Sequence, residues 1–160
     1  MRFRRDKAFS ALERYRRSLQ RAGNIEISAD LASQEIKIPT SIFNDRSIAV
    51  LEAIVEFLKD DKQLHFSQIA ALLERDDRTI WTTYDRVKKK RTQPRDTKYS
   101  GILIPISVFA DRKVAAMEAL CFYMFSKLDL SYSEISALLN RDQRTVWTCV
   151  NRAKRKYAKK

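Results

Sequence analysis

Three features of this sequence predict an all-α fold, built from two tandem three-helix domains behind a basic N-terminal helix. The first is an internal repeat. The stretch FSQIAALLERDDRTIWTTYDRVKKK, from Phe66 to Lys90, returns as YSEISALLNRDQRTVWTCVNRAKRK from Tyr132 to Lys156, at a constant offset of 66 residues. The second is apolar periodicity close to that of the α-helix in both copies. The third is composition: 44% hydrophobic residues are enough for a packed core, and two Gly and three Pro in 160 residues are too few for a loop-rich or disordered chain. Residues 36–90 and 102–156 align without a gap, and 25 of those 55 positions are identical. The expected organisation is a basic amphipathic helix over 1–24, a domain over 36–91, a linker over 92–101 and a second domain over 102–157.

Residues 3–22 place Ala8, Leu12, Tyr15, Leu19 and Ala22 at helical spacing, with Gly23 as a stop. This helix is expected to pack on the first repeat or pair between protomers, or to add a DNA-backbone contact through Arg2, Arg4, Arg5, Arg14, Arg16, Arg17 and Arg21, and opposite faces allow both. Residues 25–38 read as extended or irregular chain. Ile36-Lys37-Ile38-Pro39 matches Ile102-Leu103-Ile104-Pro105, and proline biases its predecessor away from the helical region. Both repeats should therefore be entered from an extended segment, followed by a short turn at Ser41-Ile42-Phe43 and Ser107-Val108-Phe109.

A longer helix follows in each copy. Ile48, Leu51, Ile54, Val55 and Leu58 form one apolar stripe, and Val114, Met117, Leu120, Cys121 and Met124 form the other. Asp45 and Asp111 precede these helices, where a carboxylate suits the positive N-terminus. The second helix should run from Ser67 to Leu73, capped by Ser67, and from Glu134 to Leu139, capped by Ser133. Glu74-Arg75-Asp76 and Asn140-Arg141-Asp142 make the next turn, with Asp76 or Asp142 capping a third helix. On that helix Ile80, Tyr84 and Val87 (Val146, Val150 and Ala153 in the second copy) should be buried. Arg78, Thr82, Asp85 and Lys89 (Arg144, Thr148, Asn151 and Arg155) line the opposite face. Two short helices joined by a tight turn, the second ending in a basic run, outline a DNA-binding helix-turn-helix.

The charge distribution supports that outline. The net charge is +12, and it is segregated: residues 1–24 carry a net +6, 74–98 a net +4 and 141–160 a net +7, while the stretches between are net negative. A polyanion partner fits this pattern better than a uniformly solvated surface. Polar residues recur beyond what core packing demands: Arg75, Asp76, Arg78, Thr79, Trp81, Thr82 and Arg86 are all repeated.

The pattern Ile69-Ala70, Leu73, Thr79-Ile80 and Arg86 in a basic helix resembles region 4 of sigma-70-type factors, the module that reads the promoter −35 element. The RDDRTIWT and RDQRTVWT signatures, preceded in each copy by an Ile-Pro, Ser, Phe and Asp-Arg pattern, are similar to sigma-like helix-turn-helix proteins of archaea, often in tandem, and within that group to the euryarchaeal archaellum regulators, which are transcriptional activators. The resemblance covers residues 36–157 and leaves out the N-terminal helix. No stretch resembles the region that binds and melts the −10 element, so it implies a duplex-DNA regulator, an activator, rather than a sigma factor.

On this reading Arg78 and Arg144 are candidates for bidentate contacts to guanine, unless each pairs with a nearby aspartate such as Asp77. Thr82 and Thr148 suit a phosphate or a thymine methyl, Asp85 a cytosine amine, and Asn151 an adenine. Arg75, Arg86, Lys88, Lys89 and Lys90, with Arg141, Arg152, Lys154, Arg155 and Lys156, are phosphate candidates. Thr79 and Thr145 belong to the same candidate surface. Trp81 and Trp147 border it; packing against the preceding helix is their commoner fate, and a role at the groove is the alternative.

Competing readings are a non-specific architectural DNA- or RNA-binding protein and the DNA-binding part of an enzyme. No acid cluster, nucleophile–base arrangement or glycine-rich phosphate loop is visible, so no catalysis, cofactor or metal is expected. Cys121 and Cys149 lack ligand spacing and read as structural thiols, and His65 reads as a surface loop residue. No apolar run is long enough to span a bilayer, so no membrane partner is expected. The expected location is cytoplasmic and nucleoid-associated. The expected partners are double-stranded DNA and, for an activator, the basal transcription machinery.

Overall fold

A computed structural model describes residues 35–159, so the basic helix expected over 1–24 lies outside them. The described residues are mostly helical, with six α-helices and one two-stranded sheet. In chain order they are β1 (Lys37–Pro39), α1 (Val50–Glu56), α2 (Phe66–Leu73), α3 (Asp77–Lys90), β2 (Leu103–Pro105), α4 (Ala116–Lys127), α5 (Tyr132–Leu139) and α6 (Gln143–Ala158). Each strand leads into a 3-10 turn, Thr40–Phe43 or Ile106–Phe109, and α1 continues into a π-helical turn over Phe57–Asp61.

Local chemistry explains most boundaries. Asp45 and Asp111 do not cap α1 and α4. Each closes a turn ahead of the helix, accepting the backbone N–H of Ser47 or Lys113 at 2.9 Å. The helices start after Ala49 and Ala115, whose N–H groups donate to the carboxylates of Glu52 at 3.0 Å and Glu118 at 3.2 Å. The cap of the second helix also moves, two residues earlier than Ser67 and Ser133. His65 and Ser131 hold the cap positions, and Gln68 and Glu134 reach back to their N–H groups at 2.7 Å. The reason is that three residues beyond His65 and Ser131 stands a side chain long enough to close the reciprocal bond of a capping box. After α2 and α5 the chain turns through left-handed residues, Glu74 at φ 52° and Asn140 at φ 49°. Gln63 and Asp129, which also correspond, do the same after the first helices, so the repeat extends to these unusual backbone angles.

The two copies are joined more closely than a linker between separate domains suggests. β1 and β2 pair antiparallel with Ile38 opposite Ile104, Lys37 opposite Pro105 and Pro39 opposite Leu103. Flanking bonds are reciprocal: Thr40 N–H donates to the Ile102 carbonyl and Ile106 N–H to the Ile36 carbonyl, both at 2.9 Å. Phe43 and its counterpart Phe109 meet with ring centroids 6.3 Å apart. α2 packs on the second 3-10 turn, α5 on the first, and α1 touches α4. One hydrophobic cluster runs through both copies, from Ile38, Ile54 and Leu73 to Ile104, Leu120 and Leu139. The segment between the copies is also held down. Arg95 pairs with Asp61 at 2.6 Å, Tyr99 packs edge-on against Phe57, and Ser100 and Ile102 donate to the Ser41 and Thr40 hydroxyls. Gly101 permits this approach: its φ is +88°, and a Cβ there would stand 2.2 Å from the Thr40 oxygen.

Candidate nucleic-acid interface

α3 and α6 carry the candidate surface, and their inward faces fix its orientation. Ile80, Val87, Val146, Val150 and Ala153 are fully buried and Tyr84 is half-buried, as the spacing predicts. At the start of α3 Asp76 accepts the Thr79 N–H at 2.8 Å and the Thr79 hydroxyl at 3.0 Å. Asp142 occupies the same place before α6 but makes no such bond; its carboxylate pairs across the repeats with Arg46 at 3.1 Å.

On the outward face Arg78, Arg86, Arg144, Arg152 and Arg155 are exposed, and among the described residues their side chains make no hydrogen bond or ion pair. A pairing of Arg78 with Asp77 is therefore not formed. Between these arginines stand two tryptophans, Trp81 at 56% exposure and Trp147 at 51%. Burial against the preceding helix, the commoner fate, is not theirs. Ile80 and Val146 already fill the inward position next to them, leaving the indoles on the rim with the arginines.

The polar groups suited to base edges are partly engaged by their own helix. The Thr82 and Thr148 hydroxyls donate to the carbonyls of Arg78 at 2.8 Å and Arg144 at 2.9 Å. The Asn151 amide donates to Trp147 at 2.8 Å, leaving its oxygen open, and Asp85 pairs with Lys89 at 2.7 Å. Thr145 is exposed at the start of α6.

Two arginines expected at phosphates lie elsewhere. The Arg141 guanidinium is half-buried between the copies, donating to the carbonyls of Phe43 at 3.1 Å, Asp45 at 3.3 Å and Ile48 at 3.4 Å. Burial, then the nearby Arg46, pulls its pKa down. Arg75 occupies the equivalent half-buried place; its Nε has no partner among the described residues, and burial, then Arg112, lowers its pKa too. For Arg141 this place is the junction between repeats, a contact no intra-repeat pattern displays.

Several lysines of the basic runs are likewise matched inside the molecule. Lys90 bonds the buried Glu52 carboxylate at 2.9 Å, and Lys156 its counterpart Glu118 at 2.6 Å. Lys88 bonds Asp60, and Arg91 forks onto the buried Glu56, its NH2 group at 2.7 Å. Lys154 instead sits over the Phe125 ring, 4.7 Å from its centroid. The acids on α1 and α4 that accept these cations were not singled out in the sequence, although Glu52 and Glu118 stand at identical repeat positions within apolar runs.

Cys121 and Cys149 are buried thiols on α4 and α6. Interaction with the neighbouring Cys149 thiol, then burial, raises the pKa of Cys121, and interaction with Cys121 lowers that of Cys149. Among the described residues no three metal-ligating side chains cluster, and no helix is long and apolar enough to cross a membrane. The chain matches no protein-family model, and neither a curated protein nor a solved structure shows significant similarity to it.

Proposed function

We propose that this chain is a sequence-specific double-stranded-DNA-binding transcription regulator of the activating kind. In this reading α2–α3 and α5–α6 act as two helix-turn-helix modules, with α3 and α6 as the recognition helices entering the major groove. The observation that carries it is selective exposure. Arg78, Trp81 and Arg86, with Arg144, Trp147 and Arg152, stand at matching places on two helices, outward and unpaired, while neighbouring cations are neutralised inside the fold. Arg at the start of a recognition helix suits bidentate contact with guanine, and the flanking cations suit phosphates. The RTxWT signatures and their resemblance to sigma-like modules point the same way. Activation then calls for a surface that meets the basal transcription machinery.

A second reading, a non-specific architectural DNA- or RNA-binding protein, draws on the bonds that tie Thr82, Thr148 and Asn151 back to their own helices. Binding-site selection from random duplex DNA at moderate salt separates the two. A regulator yields a defined motif; an architectural protein binds tightly with none. With about six phosphates neutralised, affinity for either should fall on the order of a thousandfold between 50 and 200 mM salt.

A further inference from the structure

We infer that the DNA element recognised by this chain is an imperfect inverted repeat, its two halves read by α3 and α6 of one and the same chain; this rests on the DNA-binding reading above. The sequence repeat by itself fixes no such symmetry, because tandem modules on a flexible linker bind direct, inverted or separate sites equally well. The packing between the copies fixes it.

The strand, ring and helix-on-turn contacts across that junction are reciprocal. The side-chain bonds from Arg141 and Asp142 to the first copy, by contrast, have no mirrored bond from Arg75 and Asp76 among the described residues. Ile38 faces its own counterpart Ile104, and Phe43 faces Phe109. Lys37 faces Pro105 while Leu103, the counterpart of Lys37, faces Pro39. The bond from Thr40 to Ile102 is mirrored by the bond from Ile106 to Ile36. α2 rests on the 3-10 turn of the second copy as α5 rests on that of the first. This is the signature of an isologous interface: patch i meets j and j meets i. Here it lies within one chain, with an approximate two-fold axis between Ile38 and Ile104. The shared core and the pinned segment at Arg95, Ser100 and Gly101 hold the copies in that relation.

Two recognition helices related by a two-fold axis present their N-termini to a duplex in opposite senses. When both engage one duplex, the protein axis coincides with a dyad of the DNA, and the half-sites run in inverted order. The halves are unequal because the helices differ where bases would be read: Asp77 and Asp85 on α3 stand where α6 has Gln143 and Asn151. Carboxylates accept from cytosine, whereas a carboxamide pairs with adenine.

The test is selection from random duplex DNA on the intact chain, followed by titration of synthetic duplexes carrying the selected halves in inverted or direct order. The expected result is a motif of two inverted, non-identical halves occupied by a single chain, as judged by sedimentation. Reversing one half should cost roughly tenfold or more in affinity. Arg78→Ala should erase information in one half and Arg144→Ala in the other. A direct repeat, or a lone half-site indifferent to its neighbour, overturns the inference while leaving sequence-specific binding intact. So does an inverted repeat bound by two chains in which Arg144→Ala erases both halves and Arg78→Ala neither. No motif at all defeats the DNA-reading proposal itself, and the inverted repeat with it.

Discussion

In the first repeat the end of α3 is tied to α1 by ion pairs, Lys90 to Glu52 and Arg91 to Glu56, with Lys88 bonded to Asp60 just beyond. In the second repeat the pair Lys156 to Glu118 persists, but Phe122 and Tyr157 replace Glu56 and Arg91, their rings 5.0 Å apart. Asp60 has become Ser126, and Lys154 rests on an aromatic face instead. α6 also loses both acids of α3 and runs longer, 16 residues against 14. One backbone plan thus admits two ways of fastening the third helix to the first. The ionic fastening neutralises the basic helix, and the aromatic one leaves it positive.

Breaking the ionic fastening has the largest expected effect. Arg91→Ala strands the Glu56 carboxylate, 2% exposed, with only Lys88 nearby at 3.5 Å. An uncompensated buried charge costs about 3 kcal/mol, and the distant Lys88 offsets only part of that. The matching change Tyr157→Ala removes a half-exposed ring and should cost about 1 kcal/mol. Grafting the aromatic pair into the first repeat, Glu56→Phe with Arg91→Tyr, should leave stability unchanged or raised, since well-packed apolar groups often replace a buried ion pair without loss. Urea denaturation of the three variants checks this. A graft as damaging as Arg91→Ala would mean the two fastenings are not interchangeable.

The second contrast concerns binding. If α3 and α6 both lie against phosphates, Asp77 and Asp85 weaken the first module. Exchanging them for their counterparts, Asp77→Gln with Asp85→Asn, should tighten binding to the selected duplex roughly tenfold at low salt, and less at high salt. The reverse exchange in α6, Gln143→Asp with Asn151→Asp, should weaken it by a similar factor. Equal affinities for parent and both exchanges would place these faces away from the DNA.

Much of this architecture is legible in the sequence, and the exceptions have a common cause. Helical spacing predicted the apolar stripes from Ile48 to Leu58 and from Val114 to Met124, and the inward faces of α3 and α6. The stripes are buried except for the half-buried Leu51 and Met117, although Ile48 and Val114 precede their helices. What escaped depends on partners distant in sequence. Arg141 repeats like a functional residue, yet its partners are the carbonyls of Phe43, Asp45 and Ile48, more than 90 positions away. The strand pairing of Ile38 with Ile104 is equally non-local. Trp81 and Trp147 misled for another reason: large apolar side chains are buried by default, and only the occupied inward position beside them leaves them outside. On the candidate surface the exposed arginines were visible in the pattern, but which lysines remain free was not. That depends on Glu52, Glu56 and Asp60, acids that look like ordinary members of α1 and its extension until α3 is laid across them.

The smallest expected effect isolates one acid present in the first repeat alone. Burial pushes Asp60 up, but hydrogen bonds from Lys88 and Tyr84 outweigh it and leave its carboxyl below the ordinary value of 3.8. A depressed folded-state pKa means that the stabilisation is complete above the unfolded-state value and disappears as pH falls through the folded one. The acid is partly exposed and the lysine more so, which limits the contribution to about 1 kcal/mol or less. Asp60→Ser, which installs the residue of the second repeat, should therefore lower the melting temperature by a few degrees at pH 6. The gap between parent and variant should close between pH 5 and pH 3, as the parent loses the charge that the variant never had. A gap of constant size across that range would assign the effect to packing around Tyr84 rather than to charge. In that case the two repeats would differ at this site in shape, with Lys88 as free for phosphate as Lys154.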